Sequence, residues 1–121
     1  MNAALSLGGK TFSWGARTYT MGILNITPDS FSGDGLLNAA NAQTAALDQA
    51  RRFLACSVDL LDVGGESTRP GAQAVNAESE AARVLPIIRA IVGEFPEAIL
   101  SIDTYKATVA EQALQAGAHL V

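Results

Sequence analysis

The chain has 121 residues, 49% of them hydrophobic, enough for one core and too few for two ordinary domains. Its eight basic and twelve acidic residues give a net charge of −4 without a basic cluster, so the electrostatic footprint of a nucleic-acid binder is missing and a small-molecule ligand is expected. No apolar run approaches the ~20 residues that cross a bilayer, and no basic segment leads into an apolar one of signal-peptide type, which makes the cytoplasm the expected location.

In chain order, residues 11–14 and 17–20 flank Gly15-Ala16 and read as a short hairpin, with Trp14 and Tyr19 as covering residues. Its expected role is a plug without chemistry. Residues 21–24 are apolar apart from Gly22, as a strand buried on both faces would be, and Asn25 and Thr27-Pro28-Asp29 end the run. A helix is expected over residues 41–56, where Ala42, Ala45, Ala46, Gln49 and Phe53 fall at helical spacing and Arg51-Arg52 face water. Cys56, the lone cysteine near its end, reads as a small buried thiol.

A second strand follows at residues 60–63. The second helix spans residues 77–92, with Asn76 as N-cap, Glu78 and Glu80 complementing the dipole of the first turn, and Pro86 as the cause of a kink. Residues 99–102 form the third strand and residues 106–116 the third helix, closed by Gly117; residues 119–121 open a fourth strand. Regular alternation of strand and helix argues for parallel β-α units.

Each of the three complete core strands delivers a polar cluster where it ends: Asn25-Ile-Thr-Pro-Asp29, Asp62-Val-Gly-Gly-Glu-Ser-Thr-Arg-Pro-Gly71 and Asp103-Thr104. In parallel α/β sheets ligands bind at that end, and in a closed barrel the clusters converge on one face. Gly64 and Gly65 permit backbone conformations closed to other residues and a close ligand approach, while Thr68 and Arg69 add a hydroxyl and a planar charged fork suited to an anion. Asn25 offers Mg²⁺ a neutral hard oxygen, to be shared with phosphate oxygens and water. Asp103 can accept hydrogen bonds from a heterocycle with amino and ring N–H groups. Together they suggest a phosphorylated nitrogen heterocycle.

Other polar residues have plainer readings. Asp62 and Glu66 stay open between structural and functional roles, Thr104 reads as the cap of the following helix, and His119 as a strand residue at the amino-terminal end. Arg51, Arg52, Arg83 and Arg89 fit solvated helix faces.

Three segments, Met21-Gly-Ile-Leu-Asn-Ile-Thr-Pro-Asp-Ser-Phe-Ser32, Asp62-Val-Gly-Gly-Glu-Ser-Thr-Arg-Pro-Gly-Ala72 and Ser101-Ile-Asp-Thr104, stand in the order and at the separation found in dihydropteroate synthase, which the chain resembles over about residues 20–121. The resemblance implies an α/β fold of the (β/α)₈ TIM-barrel family, present here as its first half: an N-terminal hairpin, three strand-helix units and the start of a fourth core strand. Residues 1–121 would then be the N-terminal part of a single pterin-binding barrel domain, with no second domain.

The implied activity belongs to folate biosynthesis: a transferase condensing 7,8-dihydropterin pyrophosphate with p-aminobenzoate, assisted by Mg²⁺, to give 7,8-dihydropteroate and pyrophosphate. It also implies a sulfonamide target and a full-length homodimer whose contacts come largely from later helices. Carried over by position, Asn25 would touch the metal and pyrophosphate, Thr68 the dihydropterin pyrophosphate and Asp103 the pterin, making Asn25 and Asp103 the catalytic pair. Phe31, Arg69 and Pro70 would belong to two loops closing over p-aminobenzoate.

The family's first loop usually reads Ser-Asp-Gly-Gly after the Phe, whereas here it reads Ser32-Gly33-Asp34-Gly35, so Asp34 is the nearest acid to the family position. A (β/α)₈ barrel takes around 250 residues, which leads to the expectation that this chain alone is inactive and self-associating or poorly soluble. Two alternatives remain: the pterin-binding domain of a cobalamin-dependent methyltransferase, against which the segment Glu66-Ser-Thr-Arg-Pro-Gly71 speaks, and a non-catalytic truncated product.

Overall fold

Three parallel strands in sequence order form the main sheet, β3 (Met21–Asn25), β4 (Leu60–Gly64) and β5 (Leu100–Asp103), and each is followed by connecting chain that leads to a helix. The helices are α1 (Ala39–Ala55), α2 (Ala77–Glu94) and α3 (Ala107–Ala116). A separate antiparallel pair, β1 (Ala4–Leu7) with β2 (Lys10–Ser13), precedes them. This computed structural model describes residues 3–27, 39–67 and 70–121. Phe31, Asp34, Thr68 and Arg69 lie outside the described residues.

Alternation decides which face of the sheet is buried. Leu24, Leu61, Val63, Leu100 and Ile102 point to the helical side and pack with Ala46 and Ala50 of α1, Val84, Ile88 and Ile91 of α2, and Val109 and Ala113 of α3. The opposite face carries Met21, Ile23 and Asn25 from β3, Asp62 and Gly64 from β4, and Ser101 and Asp103 from β5. There Met21 and Ile23 are each 45% exposed. A strand covered on both sides, as the apolar run of residues 21–24 suggests, is therefore corrected to one covered on one side among the described residues.

Helix α2 starts where Asn76 Oδ1 accepts from the Ser79 backbone N–H at 2.7 Å, and it runs without a break through Pro86. Helix α3 closes on Gly117 at φ 120°, a value glycine adopts freely. Beyond it, Ile102 N–H donates to Leu120 O at 2.9 Å and His119 N–H to Leu100 O at 2.8 Å, so the chain lies parallel to β5 as a fourth strand begins. His119 Nδ1 accepts from Leu100 N–H at 3.1 Å, which gives this histidine a structural role at the strand's start.

The hairpin differs from expectation. Residues 11–13 pair backward with residues 4–6, and the turn falls at Gly8-Gly9; Gly15-Ala16 makes only the small Trp14-to-Arg17 bridge. Two successive glycines at φ 52° and 82° supply the left-handed backbone that a two-residue hairpin turn needs, and they outcompete the later Gly-Ala. Phe12 is fully buried against Leu60 and Ile99 at the amino-terminal end of the sheet, with Trp14 and Tyr19 rings at 5.7 and 5.1 Å. The expected plug is therefore there, built from a different pair of strands.

A buried latch holds this plug. Asp59, with a side chain 5% exposed, accepts from Arg17 Nη2 at 2.6 Å, Lys10 Nζ at 3.2 Å and Thr20 N–H at 2.8 Å. The Arg17 hydrogen bond leads in holding the Asp59 carboxyl far below the ordinary carboxylate range, against the opposing effect of burial. Cys56 is exposed just past the end of α1, which corrects the expectation of a buried thiol: the helix has already ended and the residue falls beyond its buried face.

Candidate functional site

In-register pairing sets the site. Asn25 lies opposite Gly64, and Gly64 opposite Asp103, so the last residues of three adjacent strands form one row at the carboxyl end of the sheet. One layer down, Ile23, Asp62 and Ser101 form the next row on the same face. Parallel strands bring Asn25 and Asp103 together although they are 78 positions apart in the chain.

A β-carbon built on Gly64 would lie in ordinary contact with Asp103, 3.6 Å from its Cβ and 3.7 Å from Oδ2, so a methyl group fits there and only a longer side chain would reach the carboxylate's space. Gly65 answers to a different constraint, because a β-carbon there would lie 2.7 Å from Val84 Cγ1 and 3.3 Å from the Glu80 carbonyl oxygen. Neither glycine has a positive φ. The expectation that both were kept for special backbone conformations is corrected: Gly64 leaves room beside Asp103, and Gly65 lets the chain pass close over α2.

Asn25 and Asp103 are exposed, and neither side chain makes a hydrogen bond among the described residues. Below them, Ser101 Oγ donates to Asp62 Oδ1 at 2.5 Å. Burial pushes the Asp62 carboxyl above its ordinary value, the Ser101 hydrogen bond opposes this, and the Asp103 charge adds to the upward push. The site therefore pairs an open acid with a half-buried one on the same face.

Beyond Gly64 the chain turns outward and is fastened at several points. Arg83 Nη1 donates to Gly65 O at 2.9 Å, so Arg83 is a clamp on this loop rather than a residue of a solvated face. Glu66 Oε2 meets Lys106 Nζ at 2.5 Å, and Lys106 Nζ also meets Glu80 Oε1 at 2.6 Å. Glu80 is 1% exposed, and its Oε2 has no partner among the described residues. Glu66 lowers its own proton affinity chiefly through the Lys106 hydrogen bond, and Glu66 and then Glu80 raise that of Lys106.

Pro70 is exposed and lines a cleft of about 610 Å³ with Thr27, Gly71, Asn76 and Arg83 among others. Thr104 does not cap α3: Lys106 holds the N-cap position, and Thr104 Oγ1 accepts from the Lys106 backbone N–H at 3.1 Å, shaping the turn before it. The structure thus groups Asn25 and Asp103, sets Pro70 at the neighbouring cleft, and adds Glu66, Glu80, Arg83 and Lys106.

Two signals for the added residues were present in the sequence. Glu80 falls in the same helical stripe as Val84, Ile87, Ile88 and Ile91, so its charge had to be buried and paired. Lys106 is a cation at a helix start, where the dipole disfavours one. A local choice that opposes propensity calls for a compensating partner elsewhere.

A profile of the family described as pterin binding enzyme matches residues 21–121, all of the strand-helix units described above. The chain belongs to the pterin-binding enzyme family. Within that family it is 50% identical over 117 residues to a dihydropteroate synthase of Clostridium beijerinckii, covering 97% of this chain and 42% of the relative. A dihydropteroate synthase of Synechocystis is 48% identical over 117 residues, covering 97% and 39%.

Among solved pterin-binding structures, a dihydropteroate synthase of Xanthomonas albilineans with 4-aminobenzoic acid superposes with a TM-score of 0.85 at 40% identity, over 99% of this chain and 42% of that one. One from Burkholderia cenocepacia, complexed with 7,8-dihydropteroate, gives 0.76 at 42% identity, over 98% and 37%. The chain spans about two fifths of the length of the curated relatives it matches. Among the described residues, no helix is long and apolar enough to cross a membrane.

Proposed function

We propose that these residues form part of a dihydropteroate synthase of folate biosynthesis. The observation that carries this reading is the row Asn25, Gly64, Asp103 at the carboxyl end of the sheet, followed after β4 by Glu66-Ser-Thr-Arg-Pro-Gly71. Support comes from the relatives, which carry that name at 40–50% identity.

The reaction joins the amine of p-aminobenzoate to the methylene carbon of 7,8-dihydropterin pyrophosphate. The new C–N bond takes the amine lone pair, the C–O bond leaves with its electrons on pyrophosphate, and the amine loses a proton. Because positive charge builds on the pterin as the C–O bond stretches, the protein's task is electrostatic and positional. In this proposal Asp103 accepts hydrogen bonds from the pterin and holds a negative charge beside it. Thr68 binds the pyrophosphate substrate, and Phe31, Arg69 and Pro70 serve the p-aminobenzoate side. Asp34 supplies the acid of the first loop.

A divalent cation fits this arrangement in one respect. Asn25 presents an exposed amide oxygen at the strand end, and among the described residues no cluster of three His, Cys, Asp or Glu side chains could bind a metal unaided. Phosphate oxygens and water would have to supply most ligands, as Mg²⁺ usually prefers. When bound, Mg²⁺ would neutralise charge on the departing pyrophosphate. Asn25 would orient that corner of the substrate.

With three strands and the start of a fourth, the described sheet does not close, and the face bearing Met21 and Ile23 stays open. The proposal therefore assigns turnover to a protein with a complete barrel and none to these 121 residues alone. The test is pyrophosphate release by the barrel-complete protein, required to depend on both substrates. Binding of a methyltetrahydrofolate without p-aminobenzoate would instead support the methyltransferase alternative.

A further inference from the structure

The cluster of Glu66, Lys106 and Glu80 has no part in the proposed chemistry, yet it joins two loops that do. Glu66 stands just before Thr68 and Arg69 in the chain, and its Oε1 accepts from the Val75 backbone N–H at 3.4 Å, nine positions on. One carboxylate thus touches both ends of segment 66–75. Its other oxygen is held by Lys106, whose own backbone N–H is tied to Thr104, the neighbour of Asp103. Tyr105 adds a hydroxyl donor to Glu66 Oε1 at 3.2 Å.

Neutralising Glu80 would not by itself require this arrangement. Lys106 occupies the N-cap of α3 without a side-chain capping bond, a position where its charge opposes the helix dipole, and a shorter capping residue would serve the helix better. What the lysine gains there is reach to two carboxylates, one on the loop and one on α2. Local propensity is given up for a link between the loop after β4 and the loop after β5.

We propose that Glu66, gripped by Lys106, is a positioning residue: it ties Val75 back to the residue that follows Gly65 and ties both to the start of α3, beside Asp103. Resting on the synthase reading, the consequence is that p-aminobenzoate binding, which uses Arg69 and Pro70, depends on this latch more than pterin chemistry does. Small displacements of a positioned group are costly in rate or affinity.

The experiment compares Glu66→Gln, Glu80→Gln and Lys106→Arg in the barrel-complete protein, using single-residue amide exchange by NMR and steady-state kinetics. Glu66→Gln keeps the Lys106–Glu80 pair, so it should fold. Its Val75 amide should exchange about three- to tenfold faster while Leu61 and Ile102 stay unchanged. KM for p-aminobenzoate should rise severalfold, with kcat nearly constant. Lys106→Arg should preserve both readouts, and Glu80→Gln should leave Val75 exchange unchanged. Equal Val75 exchange in Glu66→Gln and the parent, equal acceleration by Glu80→Gln, or an unmoved KM beside faster exchange would each overturn the proposal. Lack of synthase turnover in the parent would defeat the functional reading alone, and Val75 exchange would still decide the latch.

Discussion

At the amino-terminal end of the sheet, Asp59 receives Arg17, Lys10 and the Thr20 N–H and is almost wholly buried. At the carboxyl-terminal end, Asn25 and Asp103 are exposed and make no side-chain hydrogen bond among the described residues. The same backbone regularity produces both ends, so the difference lies in what the side chains are for. Saturated polar groups hold a plug in place, whereas unsaturated ones in register are available to a ligand. The two ion pairs of Lys106 sit between these extremes: Glu66 is paired on the loop side, while Glu80 keeps one buried oxygen without a partner among the described residues.

The largest expected effect that separates the two ends is on turnover. Under the proposed function, Asp103→Asn should reduce kcat/KM of the barrel-complete protein by about 100-fold, the scale of losing one preorganised electrostatic contact, while the melting temperature changes little. Asp59→Asn should do the reverse. It leaves two cations facing a neutral amide, and the melting temperature should fall by about 5 °C with kcat unaltered. Calorimetry and initial rates on both variants check the pair.

Acid sharpens the contrast next. Asp59 and Glu66 are both held below the ordinary carboxylate value, so the folded state binds fewer protons than the unfolded one. The stability they supply is complete above a pH of about 5 and is lost progressively as the pH falls further. Chemical denaturation across that range should show a steeper acid loss for the parent than for Asp59→Asn. Asp62 has the opposite sign, because its raised pKa favours the folded state at low pH and disfavours it as the pH rises through the folded value. The smallest expected effect is thus a slight gain in neutral-pH stability for Asp62→Asn, absent near pH 3.

Much of this was legible from the chain. The three strand ends with Asn25, Gly64 and Asp103 could be placed because buried parallel strands write themselves as apolar runs and their ends as polar breaks. Asn76 declared itself as a cap, and Gly117 as a helix stop. The hairpin was misplaced because two Gly-containing turns competed, and only the pairing of residues 4–7 with a partner strand chose between them. Arg83 and Lys106 were missed because their partners, Gly65 O and the two glutamates, come from other elements. Ion pairs across loops have no periodicity to read.

The central claim is that the open row at the carboxyl end binds the pterin and the saturated end does not. Calorimetric titration of 7,8-dihydropterin pyrophosphate, without p-aminobenzoate, into the barrel-complete protein tests it most directly. Asp103→Asn should weaken binding by about tenfold or more, and Asp59→Asn should bind like the parent. Undiminished affinity in Asp103→Asn, or a comparable loss in folded Asp59→Asn, would contradict it.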